Sequence, residues 1–314
     1  MKFLQLPSSV LMVRPSKFGF NAQTASTNAF QKEPAASAAV IQEKARDEFN
    51  RMVDTLIDQG VDVMVVDDTE VPEKPDAIFP NNWISFHENG IVVLYPMMVE
   101  NRRAERSNPV IDQVRRQFEV SEIIDLTGYE LKNQFLEGTG SVVFDYQNRI
   151  AYASRSPRTH QAVLLELCNR LNFRPLFFDA VDEAGLPIYH TNVLMCVGSK
   201  FAVICLDAIK KDVDQEKLLK SFGETGHRVV AISYEQLRCF AGNMIEVQTR
   251  SGEPVVLLSQ SAFNSLLPGQ VNAISKYADM IPLSIPTIEQ YGGGSVRCMV
   301  AGIFNKRVPH NQVS

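Results

Sequence analysis

The sequence predicts an α/β chain in which one strand, strand, helix, strand unit occurs five times and closes into a ring. Three observations carry that expectation. Pairs of apolar runs joined by short polar turns recur four times along the chain. Each pair is followed by apolar residues near 3.6 spacing and then by a third short apolar run. A fifth copy is divided between the two ends. A recurrence of this length marks an array or a propeller, and closing it leaves no long unpaired edge. An ordinary mixed α/β sheet is the alternative.

Taken in order, residues 10–13 form an apolar run, 36–58 read as a helix and 61–66 as a strand. The strand missing from this unit is supplied by residues 295–304, so the last strand is expected to pair with the first. The stretch 21–34 between them is polar and rich in small residues, and reads as a surface loop. The second unit pairs 83–86 with 91–95 across HENG, then runs through a helix at 102–118 and a strand at 122–126. The third pairs 141–144 with 150–153 across DYQNR, followed by 158–172 and 175–179. The fourth pairs 193–197 with 201–206 across GSK, followed by 213–223 and 228–233. The fifth pairs 244–247 with 254–258 across TRSGE, followed by 262–277 and 281–285. The runs are β-branched and aromatic and are bounded by Gly, Asn and Asp, as hairpins require.

Composition narrows the function classes. The 314 residues are 45% apolar, enough for a sizeable core in one domain spanning 1–314. A net charge of −5 argues against nucleic acid or an anionic membrane as partner. No run approaches the ~20 apolar residues of a membrane span, and the opening MKFLQLPSSVLMV does not read as a leader peptide. Five cysteines without CxxC spacing suit free thiols in a cytoplasmic protein. The five histidines show no i, i+4 pair, so no metal site is expected.

One polar residue stands at the head of each hairpin: Asn82, Glu137, His190, Asn243 and Cys298, spaced 55, 53, 53 and 55 residues apart. Equivalent positions in a ring face its axis, so these five side chains are expected to converge on one cleft. Taken singly, each has a plain reading. A cysteine on an apolar run, here entered through Gly292, Gly293 and Gly294, is ordinarily a small buried hydrophobe. A lone histidine is ordinarily a satisfied core or surface residue, and a glutamate in EGTG a turn carboxylate. Together they form a nucleophile, a proton carrier and an acid. Asn82 and Asn192 add donors and acceptors for a substrate. Cys168, Cys196, Cys205 and Cys239 lie on apolar faces or at element ends and read as structural.

FPNNW at 79–83, LEGTG at 136–140, HTN at 190–192 and GGGSVRCM at 292–299 together resemble the guanidino-group-modifying enzymes of the pentein superfamily. These include arginine deiminases, dimethylarginine hydrolases, agmatine deiminases and amidinotransferases. The whole-chain pattern is most similar to a deiminase-related branch named for citrulline utilisation. The resemblance implies a five-bladed α/β propeller of ββαβ units with pseudo-fivefold symmetry and no metal or organic cofactor. It implies Cys298 as nucleophile, His190 as acid and base, Glu137 as acidic partner, and a covalent thioether intermediate. The expected partner is a small, amino-acid-like guanidino or ureido compound; a homo-oligomer is compatible. Arginines near Arg102, Arg103 and Arg158 bind the substrate carboxylate in such enzymes, the planar fork suiting it. Trp83 beside Asn82 is a candidate cleft wall, with packing the plainer role.

The chain departs from arginine deiminases, which have aspartates where Asn82 and Asn192 stand. Losing such charged contacts costs about 1.5–3 kcal/mol per bond to a cation. An amide can instead donate to a ureido oxygen. The leading expectation is therefore a cysteine-dependent hydrolase of linear amidines or ureido compounds. An amidinotransferase is the nearest alternative, and a non-catalytic binding protein on the same scaffold is disfavoured by the Cys, His and Glu set.

Overall fold

The computed structural model describes residues 4–106 and 108–309. Met1 to Phe3, which open the segment read as no leader, and His310 lie outside the described residues. Fifteen strands among the described residues make five three-stranded sheets. They are β1 (Ser9–Arg14), β2 (Val63–Asp67), β3 (Ile84–His87), β4 (Ile91–Leu94), β5 (Glu122–Asp125), β6 (Val143–Asp145), β7 (Ile150–Ser154) and β8 (Arg174–Phe178). Then follow β9 (Met195–Val197), β10 (Phe201–Ile204), β11 (Arg228–Ala231), β12 (Ile245–Gln248), β13 (Pro254–Ser259), β14 (Asp279–Leu283) and β15 (Ala301–Ile303). The central strand of each sheet pairs antiparallel on one side and parallel on the other. β15 lies antiparallel to β1, with Ser9 opposite Ile303, and β2 lies parallel on the far side of β1. The two ends of the chain therefore share a sheet, as the divided fifth copy required. Five small sheets of one pattern fit five repeated units.

The helices cover these sheets with one apolar stripe each. Ala38–Asp58 buries Ile41, Ala45, Phe49, Met52 and Leu56, which recur three or four residues apart and face one side of the helix. Two long helices expected from periodicity are divided. The stretch 262–277 forms Gln260–Ser265 and Pro268–Ile274. Leu266 and Leu267 between them are extended, because the ring of Pro268 disfavours helical backbone at the residue before it. The stretch 102–118 forms Glu100–Arg103 and Asn108–Gln117.

Several hairpins also begin later than expected, and the difference places the site. Pro80–Asn82, Gly138–Ser141 and Thr191–Leu194 are single helical turns just ahead of β3, β6 and β9. The run 295–304 is strand only over β15. Cys298 sits in a turn before it, not on a strand, with its N–H bonded to Ser295 O at 2.9 Å. The stretch 21–34 is not simply a surface loop: Asn21, Thr24 and Asn28 are buried. Their side chains and backbone bond inward, to groups described next.

Candidate active site

Each helical turn ahead of a strand points its side chains toward the others. Cys298 is buried, and its sulfur is approached by two amides: Asn243 Nδ2 at 3.3 Å and Asn192 Nδ2 at 3.6 Å. The Asn243 amide is fixed in that orientation. Its Oδ1 accepts the Arg297 N–H at 3.1 Å and its Nδ2 also donates to Asn192 O at 2.9 Å. Burial pushes the Cys298 thiol up, while the Ser295 contact, the amide bonds and the nearby Arg297 pull it down. The net direction is upward, so the resting sulfur is a thiol held for later ionisation.

The opposite wall is charged. His190 Nε2 is 2.9 Å from Glu137 Oε2. Arg158 Nη1 reaches the same carboxylate oxygen at 3.4 Å, and Arg102 Nη1 lies 4.0 Å from it. Burial would raise Glu137, but Arg158, the His190 bond and Arg102 outweigh it and hold the carboxyl well below its ordinary range. Burial lowers His190 to about 4 against the opposing pull of Glu137, so the imidazole rests neutral and able to accept a proton. Arg102 forks onto Glu105 at 2.8 and 2.9 Å and donates to Asn82 Oδ1 at 3.0 Å. Asp76 Oδ2 accepts from Asn21 at 2.8 Å and lies 3.6 Å from Arg102 Nε. Burial, partly countered by Arg102, shifts Asp76 upward.

These walls enclose a cleft of about 270 Å³ lined by Asp76, Asn82, Arg102, Arg158, His190 and Cys298 among others. Two glycines allow the approach. A Cβ on Gly140 would stand 2.4 Å from Asn82 Nδ2 and 2.9 Å from His190 Nδ1. Gly293 has φ +63° and packs beneath Asn28, whose amide donates to Gly293 O at 3.3 Å. The stretch 21–34 thus covers the cleft, and Thr24 O and Thr27 Oγ1 take the second Arg158 nitrogen at 3.3 and 2.6 Å. Three buried polar atoms on cleft residues keep no partner: Asp76 Oδ1, Asn82 Nδ2 and Arg158 Nε.

Cys298, His190, Asn82 and Arg158 from the sequence set line the cleft, and Glu137 lies behind His190. Asn192 and Asn243, expected to meet a substrate, do not line the cleft and instead brace the sulfur from behind. Two further expectations are corrected. Arg103 turns away and donates to Met97 O at 3.1 Å, with Glu130 3.4 Å off. Its neighbour Arg102 takes the inward position, because successive helical residues point about 100° apart. Trp83 packs with Leu11, Met64, Ile84 and Phe86 in the core and does not line the cleft. Asp76, Glu105 and Tyr189 were missed. Tyr189 donates to Gly293 O at 2.6 Å, and its position beside His190 was the available signal. Asp76 lies between the first and second units, so no interval marked it. All five cysteines are free, and among the described residues no group of three potential ligands is placed to hold a metal.

Fold and site together are similar to those of guanidino-group-modifying enzymes of the pentein superfamily. More particularly, a family model described as N,N dimethylarginine dimethylhydrolase, eukaryotic, matches residues 14–305, and the chain belongs to that family. Among solved structures it is similar to the N-terminal domain of ArgZ, an arginine dihydrolase of cyanobacteria. A variant of that domain carrying a covalent reaction intermediate aligns with a TM-score of 0.74 at 14% identity, covering 96% of this chain and 99% of that one. The chain spans 41% of full-length ArgZ. It is also similar to the dimethylarginine hydrolase of Pseudomonas aeruginosa complexed with citrulline, with a TM-score of 0.66 at 12% identity, covering 96% and 100% of the two chains. No curated protein sequence matches significantly.

Proposed function

We propose that this chain is a cysteine-dependent hydrolase that breaks a C–N bond of a small guanidino or ureido compound, amino-acid-like at its far end. One observation carries the reading: Cys298 shares a buried cleft with a neutral imidazole seated on a carboxylate of depressed pKa. Cys298 loses its proton to His190 and attacks the central carbon, forming a C–S bond. The C–N bond breaks as His190 returns the proton to the departing amine. Water then attacks the adduct, assisted by His190, and the C–S bond breaks. Glu137 stabilises the imidazolium while it exists and keeps the ring oriented. Arg158, whose Nε is unpartnered, anchors the substrate carboxylate, together with Arg102.

Within that class a neutral ureido group fits best. The unpartnered Asn82 Nδ2 donates and the unpartnered Asp76 Oδ1 accepts. A ureido group offers one oxygen and an NH2 to match them, whereas a guanidinium offers donors only. This agrees with the branch named for citrulline utilisation. The architecture belongs to the same reading: five units closed as a propeller, one catalytic domain over 1–314, working in the cytoplasm. No helix among the described residues is long and apolar enough to cross a membrane.

The test is turnover of arginine, citrulline, agmatine and methylated or acylated arginines by the wild type and by Cys298→Ala, with mass spectrometry for an adduct on Cys298. Adduct formation and total loss of turnover in Cys298→Ala are expected. Full activity of that variant ends the mechanism, and efficient arginine turnover with citrulline inert ends the ureido assignment. Release of ammonia or free amine marks hydrolysis, while dependence on an acceptor amine marks the transferase.

A further inference from the structure

A second and larger cavity, about 610 Å³, lies behind the catalytic turn. It is separate from the cleft: none of the cleft-lining residues lines it. Asn192 forms part of its wall and Arg297, the residue before the nucleophile, lies on another side.

The decisive feature is Arg297. Its guanidinium is half-buried at the cavity wall, and Nη1 donates to Val300 O at 2.9 Å. Among the described residues it forms no ion pair with a carboxylate. Burial lowers its pKa, and the groups that partly restore it are the Tyr146 hydroxyl and two thiols, none of them a carboxylate. A partly buried arginine gains from an anionic partner, because part of its desolvation is otherwise uncompensated. The cavity also holds Glu246, but both its oxygens already accept from Ser199, one from the N–H and one from Oγ. Gln5, Ser85, Thr139, Tyr146 and Asn192 add polar groups to the wall, and one part of it is apolar and adaptable, with Met195, Met244, Val143 and Phe144.

We propose that this rear cavity is a binding site for a small organic monocarboxylate, its carboxylate on the Arg297 fork and its short apolar tail against Met195 and Met244. The carboxylate supplies the missing counter-charge bidentately, and the methionines accommodate the tail. The site does not depend on which C–N bond the front cleft breaks. Its occupant would sit one residue from the nucleophile, against the amide that touches the sulfur.

Butanoate is the probe and butanamide its uncharged control, followed by isothermal titration calorimetry. Because the front cleft also anchors carboxylates, Arg158→Met separates the two sites. Saturable butanoate binding is expected in the wild type and in Arg158→Met, with butanamide at least tenfold weaker. Arg297→Met should weaken butanoate at least tenfold. Should that variant fail to fold, Val197→Phe, which fills the cavity at its wall, should abolish binding while circular dichroism remains native. Absence of saturable binding overturns the site. So does binding that survives Arg297→Met or the folded Val197→Phe change made in the Arg158→Met background, or that disappears in Arg158→Met alone.

Discussion

The two walls of the cleft are built on opposite electrostatic plans. On one, Glu137, Arg158, Arg102 and Asp76 surround His190 as buried groups of opposite charge that offset one another. On the other, Cys298 meets two uncharged amides. The charged wall holds a carboxylate ionised beside a neutral ring; the amide wall leaves the thiol protonated. The difference teaches that nucleophile and base are not stored as an ion pair. In the proposed mechanism the proton moves to His190 as the sulfur attacks, so no buried thiolate need be held at rest.

The sharpest way to break that contrast is Glu137→Gln. It leaves Arg158 and Arg102 without their shared charge and removes the stabiliser of the imidazolium. Turnover should fall about a thousandfold, and stability by about 3–5 kcal/mol. Steady-state rates and urea midpoints measure the two, and a variant retaining near wild-type turnover would show the carboxylate to be only structural.

The His190 ring gives the next largest effect. Its folded pKa of about 4 lies below the 6.5 of an unfolded histidine, so the unfolded chain binds the proton first as pH falls. Stability should be full above pH 6.5 and decline toward pH 4, by about 3 kcal/mol from this group. His87, also lowered by burial, to about 3, acts in the same direction and is present in both proteins. Comparing denaturation of wild type and His190→Gln across that window isolates the His190 share as a shallower slope in the variant. Equal slopes would mean that folding leaves the His190 pKa unchanged.

Asn82→Asp should import charge to the contact that distinguishes substrates. Oδ1 keeps the Arg102 bond and the unpartnered NH2 becomes an oxygen. Preference for a guanidinium over a ureido compound should rise about 10- to 100-fold, the equivalent of one charged bond. Ratios of kcat/KM read it, and an unchanged ratio would remove Asn82 from substrate selection. The smallest change is on the neutral wall. Asn243→Asp sets a carboxylate near the sulfur and should slow iodoacetamide alkylation of Cys298 at pH 8 about tenfold, by raising the thiol pKa about one unit. Alkylation at the wild-type rate would show that the amide contacts do not govern the thiol.

Legibility in the sequence followed locality. The five units could be read because a hairpin, its helix and its parallel strand each leave a period of 2 or 3.6 within a few residues. The convergence of Cys298, His190 and Glu137 could be anticipated because near-equal intervals carry over from unit to unit. Arg102 and Arg103 could not be told apart, and Trp83 was offered as a cleft wall, because neighbours in sequence differ only in direction. For Trp83 that direction follows a helical turn at 80–82 that the strand reading had not placed, and for the arginines it follows their own helix. Asp76 and the covering stretch 21–34 lie outside the repeat frame, so nothing periodic announced them.

By itself the order of residues determined the repeated unit, the pairing of its two ends and the intervals that carry the reacting groups, since these depend on short-range patterns and on register. The tertiary structure decided which polar atoms are left without partners, how far each pKa moves and that a second cavity lies behind the nucleophile. Those properties come from desolvation and from charges brought together across tens to hundreds of residues, which no local pattern records.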